Sequence, residues 1–352
     1  MKKHYKILIL LLLIPFLGFS NDDSYISKQK TIKKTYIVNS NAGIDIDNKY
    51  GNITVNTWDE DKIDLDIVIK VNGPNENWVN EKLNSIDINI TALKSLVSAV
   101  TSIGNSSVKS KGSNNSFEIN YVIKIPKNGG IKLVNKYGNI SVPVAEASTN
   151  INCKYGKVTL GKLNGSNNQV EIAYCQNSTI DYIQSGNIDA RYSGLKINDS
   201  GNINLDANYT DVNLNDGQNI KYNCNYGTFK FQKINSLNGS GNYLTVNIGE
   251  ISSNLSFDTN YSRISVDNMN EKAGNVTINS GYTDVSIGYA PNYAFDFDIS
   301  GRYTNIKHDN SLDISVSEVK SNNKRISGFY KKKGQNKVNI TSTYGNVSLV
   351  KK

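Results

Sequence analysis

Residues Asn219 to Ile248 read N-I-K-Y-N-C-N-Y-G-T-F-K-F, followed after a turn by G-N-Y-L-T-V-N-I, and this stretch decides the fold class. Apolar residues alternate with polar ones up to Tyr226, and the alternation resumes in the other parity at Phe229 and Phe231. Side chains of a strand change faces at every residue, so a change of parity requires a corner or bulge just after the tyrosine. The stretch therefore predicts two short strands that meet at a corner.

The same pattern recurs along most of the chain. Successive key tyrosines lie 18, 19, 18, 17, 17, 17, 18, 21 and 21 residues apart, and the pattern also occurs at Tyr50 and Tyr344. The regularly spaced set is Tyr137, Tyr155, Tyr174, Tyr192, Tyr209, Tyr226, Tyr243, Tyr261, Tyr282 and Tyr303. Two strands and two turns fit in about 18 residues, which is one rung of a parallel β-solenoid stacked at about 4.8 Å. An antiparallel meander or sandwich is the alternative, but identical residues at near-constant spacing favour stacked rungs.

The residues around each tyrosine suggest how a rung is packed. The position after the tyrosine (+1) is glycine in five copies and mostly serine or threonine elsewhere, and a left-handed backbone is easiest at glycine. The position two before it (−2) is usually small, as at Ala207 and Cys224. We expect the tyrosine rings to point into the core and to stack there, with the small −2 residue leaving room for the ring.

The predicted fold is all-β: a parallel β-solenoid with rungs of about 17–21 residues and a β-rich N-terminal cap that contains one short helix. The helix is expected within residues 75–84, and the end of the chain, with G-F-Y at 328–330 and a final strand from Val338 to Val350, is expected to cap the other end. The predicted regions are a signal peptide at 1–20, a linker at 21–35, the N-terminal capping region at 36–126, and the solenoid with its C-terminal cap at 127–350.

The start of the chain has the pattern of a secretory signal. Three lysines (Lys2, Lys3 and Lys6) precede the apolar run Ile7 to Phe19, and Gly18 and Ser20 are small residues at −3 and −1 of a cut before Asn21. An uncleaved anchor is the alternative, but the run is short for a membrane span of about 20 residues. The sequence predicts an exported protein of the periplasm or bacterial cell surface, with no transmembrane helix after cleavage.

Charge and cysteine content exclude several classes. The formal charge is +8, and loss of the three signal lysines leaves +5, which is not a nucleic-acid signature. Two of the three cysteines, Cys153 and Cys224, share the −2 position four rungs apart, beyond disulfide reach. We expect all three to be unpaired, with Cys175, at a +1 position, the most reactive. No cysteine and histidine spacing suits zinc, and no cofactor is predicted.

The arrangement resembles the exported β-strand-repeat families of unknown function that are grouped as bacterial putative adhesins. The resemblance rests on N-K-Y-G-N-I-T-V at 48–55, Y-V-I-K-I-P-K at 121–127, I-K-L-V-N-K-Y-G-N-I-S-V at 131–142 and the tyrosine repeats that follow. It covers nearly all of the chain after the signal. It implies adhesion as a function and supplies no catalytic or binding residues.

Candidate catalytic residues are few. After the signal, His308 is the single histidine, and a histidine without a partner is more often a surface residue than a base. Some parallel β-helices are polysaccharide lyases, so paired carboxylates must be considered. Turn residues such as Asp206, Asp211 and Asp216 are candidates, but solvated turn residues are the favoured explanation. No nucleophile elbow or phosphate-binding loop is present.

The position before the tyrosine (−1) is predicted to face outward. It holds asparagine in four consecutive rungs, at Asn208, Asn225, Asn242 and Asn260, and stacked amides can hydrogen-bond along the axis. In earlier rungs it holds Lys136, Lys154 and Arg191, with Ala173 between the last two. Such a basic stripe could bind an anionic glycan; a solubilising face is the simpler alternative.

The sequence therefore favours a non-enzymatic exported β-solenoid that acts as an adhesin-like binding or structural module of a bacterial envelope. Its expected partners are an envelope polysaccharide or another envelope protein. The alternatives are a carbohydrate-active β-helix enzyme, which would need charged groups converging in one groove, and a periplasmic regulatory partner of a signalling system.

Overall fold

The computed structural model describes residues 25–104 and 114–352. The first part contains β1 (Ile26–Ile37), β2 (Gly43–Lys49), β3 (Ile53–Trp58), β4 (Lys62–Gly73), α1 (Glu76–Asn84), β5 (Ile86–Ala92), β6 (Leu96–Ile103) and β7 (Ser116–Pro126). The regular repeats contain β8 (Ile131–Lys136), β9 (Ile140–Ala145), β10 (Thr149–Lys154), β11 (Val158–Leu163), β12 (Asn168–Ala173), β13 (Ser178–Arg191), β14 (Gly194–Asn208), β15 (Asp211–Ile251), β16 (Leu255–Asn260), β17 (Arg263–Met269), β18 (Val276–Gly281) and β19 (Asp284–Tyr289). The chain ends with β20 (Phe295–His308), β21 (Asp313–Lys320), β22 (Asn323–Tyr330) and β23 (Asn336–Lys351).

The repeats form a parallel β-solenoid, which confirms the predicted fold class and excludes the antiparallel meander. Each rung contributes one strand before its tyrosine and one after it. The strands before the tyrosines pair in parallel to form what we call the first sheet, as β8, β10 and β12 do. The strands after the tyrosines form the second sheet, as β9, β11 and the start of β13 do. Because both sheets keep one register from rung to rung, equivalent residues form straight columns.

The core lies between the two sheets. Inward positions carry aliphatic residues through most of the solenoid, and Tyr222, Phe229, Phe231 and Phe257 form an aromatic cluster within it. Outward positions of the same strands are polar, so each strand alternates buried and accessible residues. This alternation is the physical reason why a sequence with modest overall hydropathy builds a continuous core.

The N-terminal cap covers the first rung, which is formed by β2 and β3. β6 and β7 pair in parallel with β2 and β3, and the antiparallel strands β5, β4 and β1 extend the two sheets outward. The predicted helix is confirmed as α1: Asn75 caps it by accepting the N–H of Trp78 at 3.0 Å, and Val79 is buried. The Tyr50 pattern, within the predicted capping region, thus belongs to the stack itself.

Most of the predicted linker, residues 21–35, is a β-strand in the structure. Ile26–Ile37 forms β1 and pairs along its whole length with β4. Ile26, Ile32 and Tyr36 pack against the core, while three lysines alternate with them on the same face and mostly polar residues occupy the other face. Polar composition suggested a linker because this edge strand buries only a few side chains.

The final strand is not a cap, which corrects a second expectation. β23 pairs in parallel with β18 and β19 on one side and with β20 on the other. The last strand of the chain is therefore the penultimate rung. The cap is the antiparallel hairpin of β21 and β22, and β22 covers the first half of β20.

The predicted signal peptide, residues 1–20, lies outside the described residues. Among residues 25–104 and 114–352, no helix is long and apolar enough to cross a membrane.

Candidate functional site

Twelve tyrosines lie at the corner between the two sheets, and their rings point outward. Each has a left-handed backbone, with φ between 50° and 61°, and each is between 41% and 54% exposed. The expectation that these rings fill the core is therefore wrong. A strand residue in place of Tyr226 would point inward by alternation, but a left-handed residue turns the chain at that point and directs its side chain away from the core.

The corner is held by hydrogen bonds between rungs. The N–H of Tyr192 donates to the carbonyl of Asn208 at 3.1 Å, and that of Tyr209 donates to the carbonyl of Asn225 at 3.0 Å. A left-handed conformation costs a residue other than glycine about 1–2 kcal/mol. The conformation persists because each corner is fixed by the next rung.

Positions −2 and +1 share the interior of the corner, which explains the small residues there. A Cβ added to Gly301 would lie 2.6 Å from the Cβ of Thr304, and one added to Gly156 would lie 3.3 Å from the sulfur of Cys153. A larger residue at one position accompanies glycine at the other: Cys153 with Gly156, Cys224 with Gly227, Leu244 with Gly241 and Thr304 with Gly301. The glycine at +1 thus serves close packing, and the tyrosine itself takes the left-handed conformation.

Where +1 is serine or threonine, its hydroxyl links neighbouring corners. The Ser193 hydroxyl donates to the carbonyl of Arg191 at 2.8 Å and accepts the N–H of Cys175 at 3.0 Å. Thr210 makes the equivalent contacts with the carbonyl of Asn208 and the N–H of Ser193. These buried hydroxyls satisfy backbone groups that the turn would otherwise leave unpaired.

The twelve rings form one continuous stack along the molecule, which confirms the predicted column of tyrosines. Neighbouring ring centroids are 4.7 to 5.2 Å apart and neighbouring planes lie within 19° of each other. The order is Tyr50, Tyr137, Tyr155, Tyr174, Tyr192, Tyr209, Tyr226, Tyr243, Tyr261, Tyr282, Tyr344 and Tyr303. We call this set the tyrosine ridge. Eleven steps at the parallel-strand spacing give a length of about 53 Å.

The geometry determines what the ridge can contact. Ring faces within the stack are covered by their neighbours, so solvent meets the ring edges and the phenol hydroxyls. Ring edges carry the positive part of the aromatic quadrupole, and hydroxyls donate and accept hydrogen bonds. The ridge therefore presents an amphipathic line of repeating contacts.

The predicted basic stripe flanks the ridge. Lys136 and Lys154 are neighbours in the register, and Ala173 separates Lys154 from Arg191. Each cation already has a partner: Lys136 lies over the Tyr137 ring at 4.9 Å, Lys154 is 3.7 Å from Glu171, and Arg191 contacts both oxygens of Asp189. Carboxylates therefore offset the charge of two of the three cations, Lys154 and Arg191.

The predicted asparagine column is present in the next rungs. Asn225 donates to Asn208 at 3.2 Å, Asn242 donates to Asn225 at 3.3 Å, and Asn260 donates to Asn242 at 3.2 Å. The −1 column therefore changes along the molecule from cations beside the early tyrosines to amides beside the later ones.

The structure separates the carboxylates singled out above and brings others together. Asp206 lies on the first sheet, Asp216 pairs in register with Asp199 on the second, and Asp211 lies just after the corner. Glu171, Asp189 and Asp206 instead occupy one column in consecutive rungs. Each carboxylate accepts a hydrogen bond from the side chain two residues further along its strand or from a side chain of the neighbouring rung. Asp189 accepts one from Arg191, and Glu171 accepts one from Asn152 at 2.7 Å.

Other candidate groups stand alone. The ring of the exposed His308 lies 3.1 Å from the backbone carbonyl of the adjacent Asp309. Among the described residues, no cluster of three or more histidine, cysteine or acidic side chains could hold a metal ion.

The three cysteines are unpaired and buried, as expected for Cys153 and Cys224. Cys175 is also fully buried, because +1 positions point into the corner, so exposure does not distinguish it from the other two cysteines; its greater reactivity stays a prediction. The neighbouring Cys175 thiol and then burial raise the pKa of Cys153. Burial raises the pKa of Cys224 to about 12.

Sequence reasoning missed the tyrosine ridge as a surface, although a signal was available. Every one of the twelve corner positions is tyrosine and none is phenylalanine, whereas the core uses phenylalanine freely, as at Phe229, Phe231 and Phe257. A hydroxyl retained in every copy indicates a group that reaches water.

Similar solved structures include two bacterial proteins. One is a putative cell adhesion protein from Clostridium sporogenes, with 11% identity and a TM-score of 0.18, covering 92% of this chain and 100% of that one. The other is a putative adhesin from Bacteroides fragilis, with 17% identity and a TM-score of 0.24, covering 92% of this chain and 96% of that one. No protein-family model matches the chain. No curated protein matches it.

Proposed function

We propose that this protein is an exported, non-enzymatic, adhesin-like module of a bacterial cell envelope, and that the tyrosine ridge is its contact surface. The observation that carries the proposal is the exposure of twelve stacked tyrosines in a single line. Stability alone does not require exposed rings at strained corners, since glycine takes a left-handed backbone without strain.

The chemistry of the ridge favours a protein partner over a sugar. Sugar rings usually stack on open aromatic faces, and here neighbouring rings cover those faces. Tyrosine is enriched among the residues that dominate protein interfaces, and tyrosine with serine, glycine and asparagine is the composition of antibody binding loops. The ridge combines the same residue types, with asparagine at −1 and glycine, serine or threonine at +1.

Export is part of this proposal and rests on the sequence of residues 1–20. The cut before Asn21 would place the solenoid outside the cytoplasmic membrane, in the periplasm or at the cell surface. The free and buried cysteines suit such a compartment because they offer no accessible thiol to oxidation.

A carbohydrate-active enzyme is the second candidate, and one observation favours it. Glu171, Asp189 and Asp206 lie in consecutive rungs, and paired carboxylates about 5 Å apart are used by retaining glycosidases. However, both carboxylate oxygens of Asp189 already accept hydrogen bonds from Arg191, so this side chain is engaged within its own strand.

The test is adhesion measured with the purified mature chain. Beads carrying the chain are passed over immobilised envelope and extracellular-matrix proteins, and the fraction retained under flow is counted. The ridge variant carries Tyr192→Asn, Tyr209→Asn and Tyr226→Asn, because asparagine tolerates the left-handed conformation. We expect this variant to lose most of the retention shown by the wild-type chain.

The matched control changes the same three rungs on the outer face of the second sheet. It carries Lys196→Ala, Asn213→Ala and Lys230→Ala, all at exposed positions. Beads that carry this control should be retained as well as beads that carry the wild-type chain. Equal retention by wild type and the ridge variant, with both folded, would reject the ridge as the contact surface.

A further inference from the structure

A long groove runs along the outer face of the first sheet, beside the ridge but separate from it. Two adjoining concavities of about 670 and 460 Å³ share Asn204 and Lys221, so they form one continuous depression from the rung of Asn150 to the rung of Ser256. The groove crosses seven rungs, and the six steps between them at the parallel-strand spacing make it about 29 Å long. Its length and direction suit an extended polymer lying along the solenoid axis.

Amide side chains line the middle of the groove and are held in order by one another. Asn204 donates to Asn187 at 2.9 Å, and Asn187 donates to Gln169 at 3.2 Å. An amide group has two donor hydrogens and an acceptor oxygen, so each of these side chains keeps hydrogen-bonding capacity for a ligand. Because the order is already fixed by the ladder, binding would cost little side-chain entropy.

The charges in the groove select against an anionic ligand. Three carboxylates, Glu171, Asp189 and Asp206, line it together with the single cation Lys221 among the described lining residues. Lys154 and Arg191 beside the groove are already paired with Glu171 and Asp189, so a polyanion would meet no column of uncompensated cations there. Carboxylates accept hydrogen bonds from hydroxyl groups, so an uncharged hydroxylated chain would find acceptors as well as donors.

The backbone excludes capture of a peptide by strand addition. The groove lies on a face of the sheet, where the strands already pair with the rungs on both sides, as β14 does with β13 and β15. Addition of a peptide strand needs an open sheet edge. Recognition must therefore use the side chains, which present a polar row with a repeat of about 4.8 Å.

We propose that this groove binds a linear, uncharged polysaccharide, with the Gln169, Asn187 and Asn204 amides and the flanking carboxylates hydrogen-bonding to its hydroxyl groups. The site differs from the Lys136, Lys154 and Arg191 stripe in position and in the charge of the ligand it takes. It does not depend on the tyrosine ridge, so the two proposals can fail separately.

The test is calorimetric titration of the mature chain with cellohexaose, the hexamer of N-acetylglucosamine and a hexamer of galacturonic acid. We expect at least one neutral hexamer to bind, the anionic hexamer to bind more weakly than the neutral one, and the dimer of the bound sugar to bind more weakly than its hexamer. The double variant Asn187→Ala and Asn204→Ala should weaken binding by about tenfold through the loss of two groups that hydrogen-bond to the ligand.

The matched control, Lys196→Ala with Asn213→Ala, changes an exposed pair in neighbouring rungs of the second sheet and should bind as wild type. Thermal melts confirm that both variants fold, and Asn187→Asp, which keeps the shape of the side chain, is the substitute if the double variant does not. No binding of either neutral hexamer, tighter binding of the anionic hexamer, or unchanged binding by the groove variants would overturn the inference. Cleavage of a bound hexamer would leave the groove assignment standing and reject the non-enzymatic proposal.

Discussion

At the scale of the residue, the account depends on the left-handed tyrosine. Tyr226, with φ of 57°, bears a conformational cost of about 1–2 kcal/mol. Its ring stacks on Tyr209 at 4.7 Å and on Tyr243 at 4.8 Å, and an aromatic pair contributes about 0.5–1.5 kcal/mol. The two terms are of similar size, so stacking on both sides offsets much of the strain at the corner.

This balance predicts an unusual order of mutational effects. Tyr226→Ala keeps the strain and removes both stacking contacts, so it should lower the free energy of unfolding by about 1–3 kcal/mol. Tyr226→Gly removes the strain as well and should be less damaging than alanine. The buried Phe229, three residues on, should cost about 3–5 kcal/mol when changed to alanine. Urea melts of the three variants measure this order, and a Tyr226→Ala loss as large as that of Phe229→Ala would place the ring in the core.

The cysteines give a second test at the same scale. Because burial raises the pKa of Cys224 to about 12, its thiol stays protonated at pH 8 and at pH 9. An exposed thiol with a pKa of about 8.5 would instead react several times faster at pH 9 than at pH 8, because more of it is thiolate. We expect native-state labelling of Cys224 by a maleimide to be slow, while all three cysteines label rapidly in urea. Rapid labelling of Cys224 in the native chain would show that the −2 position is not inward.

At the scale of the element, the sequence predicts most of the repeat and fails at its ends. Alternation, spacing and the break in parity were sufficient to predict the rungs and their parallel stacking. The helical spacing of apolar residues was sufficient to predict α1. The orientation of Tyr226 could not be derived from parity, because parity assumes that the corner residue continues the strand. The place of β23 could not be derived either, since the pattern at Tyr344 marks a rung without giving its order in the stack.

The place of β23 makes the second end depend on the last residues of the chain. β20 pairs with β23 on one side and, over its first half, with β22 on the other. β23 is therefore the strand through which β20 joins the sheets of the solenoid. We expect a chain ending at residue 331 to lose hydrogen-exchange protection in β20 and in β18, while β8 and β10 keep theirs as an internal control. Unchanged protection in β20 would mean that the rungs stack in chain order.

At the scale of the whole molecule, the solenoid is a rigid rod in which every side-chain column is repeated at one spacing. Such a rod can present a single type of contact many times, and multiple weak contacts on one rigid support gain strength together. The tyrosine ridge and the amide groove are two such columns on neighbouring strips of the surface. The candidate surfaces could be found only partly from sequence, because Lys136 and Asn225 were placed correctly while the ridge beside them was assigned to the core.

Nitration of the native chain by tetranitromethane, read by mass spectrometry, tests the central claim most directly. Tyr222 and Tyr226 lie on the same strand four residues apart; Tyr222 is 2% exposed with a pKa raised by burial, and Tyr226 is 43% exposed. The account predicts nitration at Tyr226 and at the other ridge tyrosines, with Tyr222 modified only after unfolding. Protection of the ridge tyrosines together with modification of Tyr222 would contradict it and return the twelve rings to the core.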